Sequence, residues 1–594
     1  MQKLHHRSVT CMLFLNLVAA VCVRAAAEPA AADMRSMIER YTIDRESLMH
    51  RYNIPFSEAR DERIKKFYEE WQAKLAAVDF YSLDEANQID YLLMQNHLQH
   101  AERLLSLRQK QFTEMGALLP FSKAILDLAE TRWRMQLPQP QQNAEQLTAL
   151  VKKIGETREA AEAELASSAK PTAQGGSGPA LIHVQRTTAR RAAQTVGRLR
   201  EVLKDWFEYY NGYDPLFTWW AAQPYKEADQ ALEAYAKFLD EKLVGIKPDD
   251  KSTIIGDPVG REALLEELRD AMIPYTPEEL IALGKREMAW CVEQMKLASR
   301  EMGYGDDWHK ALEVVKEMHV APGEQPALIR KLALDATEYV EKNELVTVPE
   351  LAKETWGMRM MTPERQVVNP FFTGGEDISV SFPTNTMTFE QRMMSMRGNN
   401  ISFARATVFH ELIPGHHLQG FMAERYRSYR HVFDTPFWIE GNAFYWEMLF
   451  WDMGFAHTPQ ERVGMLFWRM HRCARVIFSL SFHLGQMTPQ QCVDFLVNEV
   501  GHERENATAE VRRSFDGSYS PLYQCAYMLG ALQFWALRQE LVVSGHMTNR
   551  EFHDAILQEN SIPIELLRAA LIHQKLDRNF VSQWKFYPAV SSKP

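Results

Sequence analysis

Residues 408–417, Val408-Phe409-His410-Glu411-Leu412-Ile413-Pro414-Gly415-His416-His417, contain a His-Glu pair followed by two adjacent histidines. In the H-E-x-x-H motif the two histidines lie one helical turn apart, so both imidazoles reach one zinc ion and the glutamate activates its water. Here the fourth residue after His410 is Pro414, which cannot bind a metal. The spacing therefore predicts a zinc-binding helix with two residues inserted between the metal ligands.

The inserted residues explain how the second histidine can return to the metal. In an unbroken helix His416 would lie about 240° around and about 9 Å along from His410, too far to share one ion. Pro414 has no N–H for the helical ladder and its ring clashes with the carbonyl of residue 410, while Gly415 permits unusual backbone angles. We expect the helix to bulge at Pro414-Gly415 and to bring His416 to the metal. A bulge longer by one residue would bring His417 instead.

A second segment, Phe437-Trp438-Ile439-Glu440-Gly441-Asn442-Ala443-Phe444-Tyr445-Trp446-Glu447, begins about thirty residues after the first. It resembles the W-x-x-E-G-x-A-x-Y-x-E region of the aminopeptidase N family, with the spacing from Trp to Glu shorter by one residue. The first glutamate of that region is the third zinc ligand in the family. The resemblance implies that Glu440 completes a His/His/Glu site for one Zn²⁺, with a fourth position open for water.

Taken together, H-E-x-x-P-G-H-H-x-Q and E-G-x-A-x-Y-x-E resemble the large, mainly bacterial family called domain of unknown function 885, grouped with the gluzincin-type zinc metallopeptidases. Residues 526–530 with Leu537-Arg538 resemble its C-terminal Y-x-x-G helix, and residues 82–103 its early helices. Asn442 stands where the family usually has Trp. The resemblance implies a mainly α, two-lobed helical metallopeptidase-like fold with a small β-sheet beside the zinc helix.

The catalytic roles follow from this metal site. Glu411 would take a proton from the attacking water and deliver it to the leaving amine. The oxyanion then needs a second electrophile, which gluzincins supply from a later helix. By the match to the Y-x-x-G segment this is Tyr527, with Tyr523, one turn earlier on the same face, as the alternative. Core packing would explain either tyrosine equally well.

Other polar residues are candidates for supporting roles. Glu447 lies two turns beyond the third predicted ligand on the same helix face, so it could orient a ligand histidine, although a salt bridge on the helix face explains it equally well. Gln419 could contact substrate, as could whichever of His416 and His417 is not a ligand. Arg512, Arg513 and Arg538 could bind a substrate carboxylate, as an exopeptidase requires, although surface salt bridges account for them equally well.

Upstream of the metal motif, residues 378–382 alternate apolar and polar side chains and precede a proline, which predicts a strand. Gly374-Gly375 just before it predicts a turn. In gluzincins a strand at this place pairs with the extended substrate backbone. A short structural strand is the alternative.

Composition and helical periodicity describe a large helical chain. Its 594 residues are 46% hydrophobic and 11% aromatic, enough for a sizeable core and two or more lobes. The net charge of −11 is dispersed, and the lack of a basic stripe argues against nucleic acid as a partner. Helical spacing of apolar residues marks four long stretches. They are 58–108, 143–168, 180–208 and 226–244, with a flexible loop at 167–179.

Three regions are predicted along the chain. A basic start, an apolar run and a small-residue cleavage region make residues 1–26 a secretory signal peptide, too short in its apolar run for a membrane anchor. Residues 27–250 form an N-terminal helical lobe, and residues 251–594 a catalytic lobe. The mature protein is expected in the periplasm or outside the cell, without a membrane span. Four cysteines remain after the signal peptide, Cys291, Cys473, Cys492 and Cys525; we expect most of them to be buried thiols, and the compartment also permits a disulfide, which the sequence does not place.

Two classes of function remain open. The first is a secreted zinc peptidase acting on short peptides, with endo- or exopeptidase preference and oligomeric state undetermined. The second is a metal-binding or scaffold protein without catalysis, or a hydrolase of a non-peptide amide, on the same fold. The presence of Glu411 favours catalysis, because a non-catalytic relic has no need for a base.

Overall fold

The computed structural model describes residues 33–168, 185–247, 250, 253–368, 371–375 and 377–587. The predicted signal peptide at 1–26 and almost all of the loop predicted at 167–179 lie outside these residues. Within the described part, no helix is both long and apolar enough to cross a bilayer.

The prediction of a mainly helical fold is confirmed. The four predicted helical stretches are helical where they are described, apart from a break between the second and third helices. The α-helices of the described residues are α1 (Met34–Arg51), α2 (Glu58–Ala76), α3 (Glu85–Glu114), α4 (Ser122–Trp133), α5 (Pro140–Ser168), α6 (Arg186–Tyr210), α7 (Pro215–Phe238), α8 (Gly260–Asp270), α9 (Pro277–Glu301), α10 (Trp308–Lys316), α11 (Gln325–Lys342), α12 (Glu350–Thr355), α13 (Pro363–Val368), α14 (Phe389–Gly398), α15 (Ile401–Glu411), α16 (His416–Ala423), α17 (Pro436–Asp452), α18 (Pro459–His483), α19 (Pro489–Phe495), α20 (Arg504–Phe515), α21 (Tyr523–Arg538), α22 (Asn549–Glu559) and α23 (Ile564–Leu571).

Several helices begin at a Thr-Pro pair that satisfies the free N–H groups of the first turn. At α9, α18 and α19 the threonine side chain accepts from the third helical N–H, and the Glu or Gln at that position accepts from the threonine N–H. The proline that follows has a backbone angle suited to the first helical residue and lacks an N–H that would go unpaired. The capping box of Thr458 and Glu461 sets the start of α18, a helix that carries residues lining the cavity described below.

Hydrophobic packing divides the described residues into two main cores. The larger one contains apolar residues of α1–α3 together with residues 264–587, and α18 is buried within it along nearly its whole length. The second core is formed by residues 115–244, which include α4–α7. The predicted division near residue 250 stays a prediction, but the first three helices pack with the metal motif rather than with α4–α7. All four cysteines of the described part are free and buried, as expected.

Two glycines allow α17 and α21 to pack in unusually close contact. A Cβ on Gly441 would lie 2.6 Å from the Cα of Gly530, and a Cβ on Gly530 would overlap the carbonyl of Phe437. These glycines belong to the E-G and Y-x-x-G motifs. Because the helices approach this closely, tyrosines at the start of α21 reach the side of α17 that carries Glu440.

A small parallel sheet lies beside α15, as predicted. Strand β1 (Gly357–Met360) pairs with β2 (Asp377–Val380), and the inner side chains of β2 share a small core with Val408 and Leu412. The outer edge of β2 is not open to substrate, because Ser379 exchanges two backbone hydrogen bonds with Thr373. The predicted pairing of this strand with substrate is therefore wrong at Ser379, and the chain that reaches the cavity is 371–375.

Candidate metal centre

The two histidine-bearing segments are separate helices. Helix α15 ends at Glu411, residues 412–415 form a turn, and α16 starts at His416. The expected bulge is thus a complete break, which follows from the missing N–H of Pro414 and the close fold-back of the turn. The N–H of Gly415 donates to the carbonyl of Phe409 at 3.0 Å. Only glycine fits here, since a Cβ would overlap the carbonyl oxygen of His410.

We expect Gly415→Ala to lower the free energy of unfolding by about 3 kcal/mol, because the overlap must be relieved by moving backbone. It should also reduce the metal content of the purified protein, since His410 and His416 flank the turn. Gly420→Ala, in α16, is the matched control because its Cβ would meet nothing within 4 Å. Urea unfolding and elemental analysis of both variants check this. Equal stability of the two would show that the turn tolerates a side chain.

The turn brings three potential metal ligands together. One nitrogen each of His410 and His416 and a carboxylate oxygen of Glu440 lie within 4.8 Å of one another. The Nε2 atoms of His410 and His416 are 3.8 Å and 3.2 Å from Oε2 of Glu440. That oxygen is buried and has no hydrogen-bond donor. Two imidazole nitrogens and a carboxylate oxygen converging on one point are the donor set of a catalytic divalent metal site.

His410 is oriented by Glu447, as the spacing along α17 predicted. Oε1 of Glu447 lies 2.8 Å from Nδ1 of His410, and both side chains are buried. A carboxylate at Nδ1 favours a proton on that nitrogen, which leaves Nε2, the nitrogen that faces Glu440, available to a metal. Glu447 also pairs with Arg472 at 3.6 Å.

His416 is oriented by a chain of two amides. Its Nδ1 lies 3.2 Å from Oε1 of Gln419, whose Nε2 donates to Oδ1 of Asn442 at 2.9 Å. Asn442, which departs from the family pattern, thus holds the side-chain amide of Gln419, and that amide orients His416. His417 points elsewhere, with Nε2 2.9 Å from the carbonyl of Ala352. The structure therefore brings His416, and not His417, to the other two ligands.

The charges at the site suit a metal and a base. Burial opposes ionisation of Glu440, but the His416 and His410 imidazoles hold the pKa of its carboxyl well below the usual range. Burial lowers the pKa of His416, but the Glu440 carboxylate more than compensates and the pKa is about 9, so a metal that binds here displaces the imidazole proton. Burial raises the pKa of Glu411 above its usual value. Glu440 is thus a carboxylate, the form that binds a metal, and Glu411 is more basic than an exposed glutamate.

The ligand cluster opens into a cavity of about 520 Å³. Glu411 lines it, and the turn at Gly374-Gly375 passes directly over the Glu411 side chain. A Cβ on Gly374 would collide with that carboxylate, so the predicted turn packs directly against Glu411. Other lining residues are aromatic, among them Phe371, Trp438 and Trp468. The cavity combines aromatic surface with charged and polar side chains, a lining that suits small organic molecules or short peptides.

Both candidate tyrosines line this cavity. The Tyr523 hydroxyl donates a hydrogen bond to Oε1 of Glu440, on the oxygen that does not face the histidines. The ring of Tyr527 lies parallel to that of His410, with centroids 6.1 Å apart. Burial raises the pKa of both phenols, so both remain protonated and can donate a hydrogen bond near neutral pH.

Sequence reasoning overlooked a group of buried charges behind these tyrosines. His471 and Arg472, on the enclosed helix α18, are buried, and so is His502. Arg475, Arg472 and Arg513 line the cavity. Of the three arginines proposed from sequence to bind a substrate carboxylate, only Arg513 lines this cavity. Arg512 lines a separate cavity, and Arg538 donates to Asn549. The signal in the sequence was the presence of arginine and histidine among the mostly apolar residues of α18.

Comparison with known proteins identifies relatives but no activity. A family model described as "Bacterial protein of unknown function (DUF885)" matches residues 44–571, in agreement with the resemblance drawn from the motifs. No curated protein matches the chain.

Two solved structures share the fold. One, described as a "putative lipoprotein of unknown function" from Shewanella oneidensis, has a TM-score of 0.65 and 17% identity, covering 91% of this chain and 100% of its own. The other, a "putative lipoprotein" from Colwellia psychrerythraea, has a TM-score of 0.56 and 14% identity, covering 91% and 98%. At these identities the likeness concerns the fold alone.

Proposed function

The chain belongs to the bacterial DUF885 family, and from the geometry of its own site we propose that it is a zinc-dependent peptidase that hydrolyses short peptides. The observation that carries the proposal is the convergence of His410, His416 and Glu440 within 4.8 Å, with Glu411 in the same cavity. We further propose that the fold is a two-lobed, gluzincin-like one. The order of the ligands along the chain and the base directly after the first histidine support this.

His410, His416 and Glu440 would hold the ion, and zinc is favoured because two imidazoles and one carboxylate form its usual catalytic ligand set. When bound, zinc supplies Lewis acidity, which lowers the pKa of a water molecule and polarises a carbonyl. Glu411 takes the proton of the attacking water and transfers it to the leaving amine. Its raised pKa suits both steps. The aromatic lining restricts access of bulk water and packs against the side chains of a peptide.

The two tyrosines are given different roles. Tyr527 donates its hydroxyl to the developing oxyanion, whereas Tyr523 positions Glu440 through their hydrogen bond. We expect Tyr527→Phe to lower kcat about 10²-fold with unchanged zinc content. Tyr523→Phe should instead weaken zinc affinity about 10-fold, because a partner of the ligand is lost. Zinc titration and steady-state kinetics on both variants test this, and the opposite pattern would exchange the roles.

A metal-depletion experiment tests the proposed function. Purified protein would be stripped with a chelator, half of it reloaded with Zn²⁺, and both samples incubated with a mixture of short peptides analysed by mass spectrometry. We expect cleavage only in the reloaded sample. Cleavage that survives metal removal would overturn the proposal. A loaded protein that cleaves no peptide would favour either metal binding without catalysis or hydrolysis of a non-peptide amide, which a set of N-acyl amides distinguishes.

We also propose that the protein is exported. The pattern of residues 1–26 supports this, as do the lipoprotein descriptions of both similar structures. N-terminal sequencing of the protein from a periplasmic extract should begin near residue 27.

A further inference from the structure

We infer that the buried arginines Arg472, Arg475 and Arg513, here called the arginine cluster, form a subsite for a carboxylate group of the substrate. The inference rests on the proposed function and narrows its substrate class to peptides with a carboxylate close to the scissile bond. All three side chains line the cavity of the metal centre. They come from two helices, α18 and α20.

The cluster is unusually deep for three cations. The exposed fractions of the Arg475, Arg472 and Arg513 side chains are 4%, 9% and 18%. Burying a charge is costly unless a counter-charge and hydrogen bonds compensate it. The carboxylates and hydrogen-bond acceptors that already contact the three guanidinium groups therefore decide what further group the cluster can bind.

Two carboxylates serve these three guanidinium groups. Glu510 accepts from Arg475 at 2.6 Å and lies 4.0 Å from Arg513. Glu447 pairs with Arg472 at 3.6 Å but also holds His410. Burial and the adjacent Arg475 lower the pKa of Arg472, a sign of uncompensated positive charge.

The cluster also has unused hydrogen-bond donors. Nε of Arg472, Nη1 of Arg475 and Nε of Arg513 are buried and have no acceptor. In the proposed enzyme Glu411 and Glu440 balance the two charges of zinc, which leaves one positive charge in excess at the cluster. A group with one negative charge and several acceptor lone pairs would balance the excess positive charge and accept from the unused N–H donors. Guanidinium groups bind carboxylates with particularly good geometry, so we take this group to be a carboxylate.

The distance to the metal centre sets which carboxylate fits. The Cζ atoms of Arg472 and Arg475 are each 4.5 Å from the ring centroid of Tyr527, which is 6.1 Å from that of His410. Both Cζ atoms therefore lie within about 11 Å of the His410 ring. Since an extended chain advances roughly 3.3–3.6 Å per residue, the bound carboxylate lies within about three residues of the scissile bond. This is the C-terminal carboxylate of a short peptide or an acidic side chain near the cleaved amide.

Matched peptides test the inference in the zinc-loaded enzyme. The set is a peptide with a free C-terminal carboxylate, the same peptide amidated, and an amidated peptide with Glu after the scissile bond. We expect kcat/KM to be about 10- to 100-fold higher for a peptide with a carboxylate than for the amidated parent, the range of a charged hydrogen bond. Faster cleavage of the first peptide would identify the bound group as the terminal carboxylate. Faster cleavage of the third would identify it as the acidic side chain. Equal cleavage of all three would overturn the inference.

Arg513 is the residue to replace, because it is the least buried of the cluster and approaches Glu510 only to 4.0 Å. Arg513→Gln should bring the acid-to-amide ratio of kcat/KM close to one, and Arg513→Lys should give an intermediate ratio. Arg512→Gln is the matched control, since Arg512 is adjacent on α20 but lines a different cavity. Its ratio should equal that of wild type. An Arg513→Gln protein that is slower on acid and amide alike would contradict the subsite.

A binding measurement separates this inference from the proposed function. N-acetyl-L-phenylalanine and its amide would be titrated into zinc-loaded wild type and zinc-loaded Arg513→Gln by calorimetry. We expect only the acid to bind wild type, at least about 10-fold more tightly than the variant. Acid binding without any peptide cleavage would retain the subsite and reject the peptidase. Cleavage without a preference for acids would retain the peptidase and reject the subsite.

Discussion

Replacing Glu411 by Gln is expected to lower kcat/KM for peptide hydrolysis by about 10³-fold, because the general base is lost while the shape of the side chain is kept. Glu411 lies in the metal cavity, where burial raises the pKa of its carboxyl, and is not part of the three-ligand cluster. Zinc content should therefore remain at one ion per chain. Steady-state kinetics and elemental analysis on the same preparation measure both quantities.

The control for this variant is Glu424→Gln, which changes an exposed glutamate at the end of α16. It should leave kcat/KM and zinc content unchanged. A Glu411→Gln variant with nearly the activity of wild type would mean that another group accepts the proton from the attacking water. Loss of zinc from this variant would instead make Glu411 part of the metal site.

The second large effect is expected at His416. Replacing His416 by Ala should weaken zinc binding on the order of 10³-fold, since roughly 10–16 kcal/mol of binding free energy is shared among few ligands. Peptidase activity should be lost with the metal. Competition with a chromophoric zinc chelator measures the affinity directly.

The adjacent residue provides the matched control. His417 is as close in sequence, but its Nε2 bonds to the carbonyl of Ala352, so His417→Ala should keep zinc at one ion per chain. It should lower the free energy of unfolding by about 1–3 kcal/mol, because a buried hydrogen bond is lost. Zinc loss in His417→Ala with retention in His416→Ala would exchange the two histidines.

Much of the fold and of the site was predictable from local patterns. Apolar residues at helical spacing marked the helices, and alternating residues marked β2 within a few positions. The order of His410, Glu411 and Glu440 identified a candidate metal site, and the spacing from Glu440 to Glu447 predicted the contact with His410. These features depend on the periodicity of single elements or on residue types at short, recognisable spacings, so a linear pattern is sufficient.

Other features escaped prediction because they depend on neighbours far along the chain. The outer edge of β2 is covered by Thr373, which no alternation of residues reveals. Asn442 and Gln419, on different helices, become partners only when α16 packs on α17. Arg475 is held by Glu510 across the interface of α18 and α20. Charges that seem exposed in a sequence become buried when the protein supplies distant counter-charges.

Sequence alone determined which residues could bind a metal and act as a base, because ligand chemistry resides in residue type and short spacing. It also required a departure from the helix at Pro414, but left the position of the second histidine open. Tertiary structure decided that question. The break between α15 and α16, possible only with glycine at 415, directs His416 to Glu440 and His417 to Ala352. The direction of a side chain after a helix break depends on the packing of the next helix, which no local pattern contains.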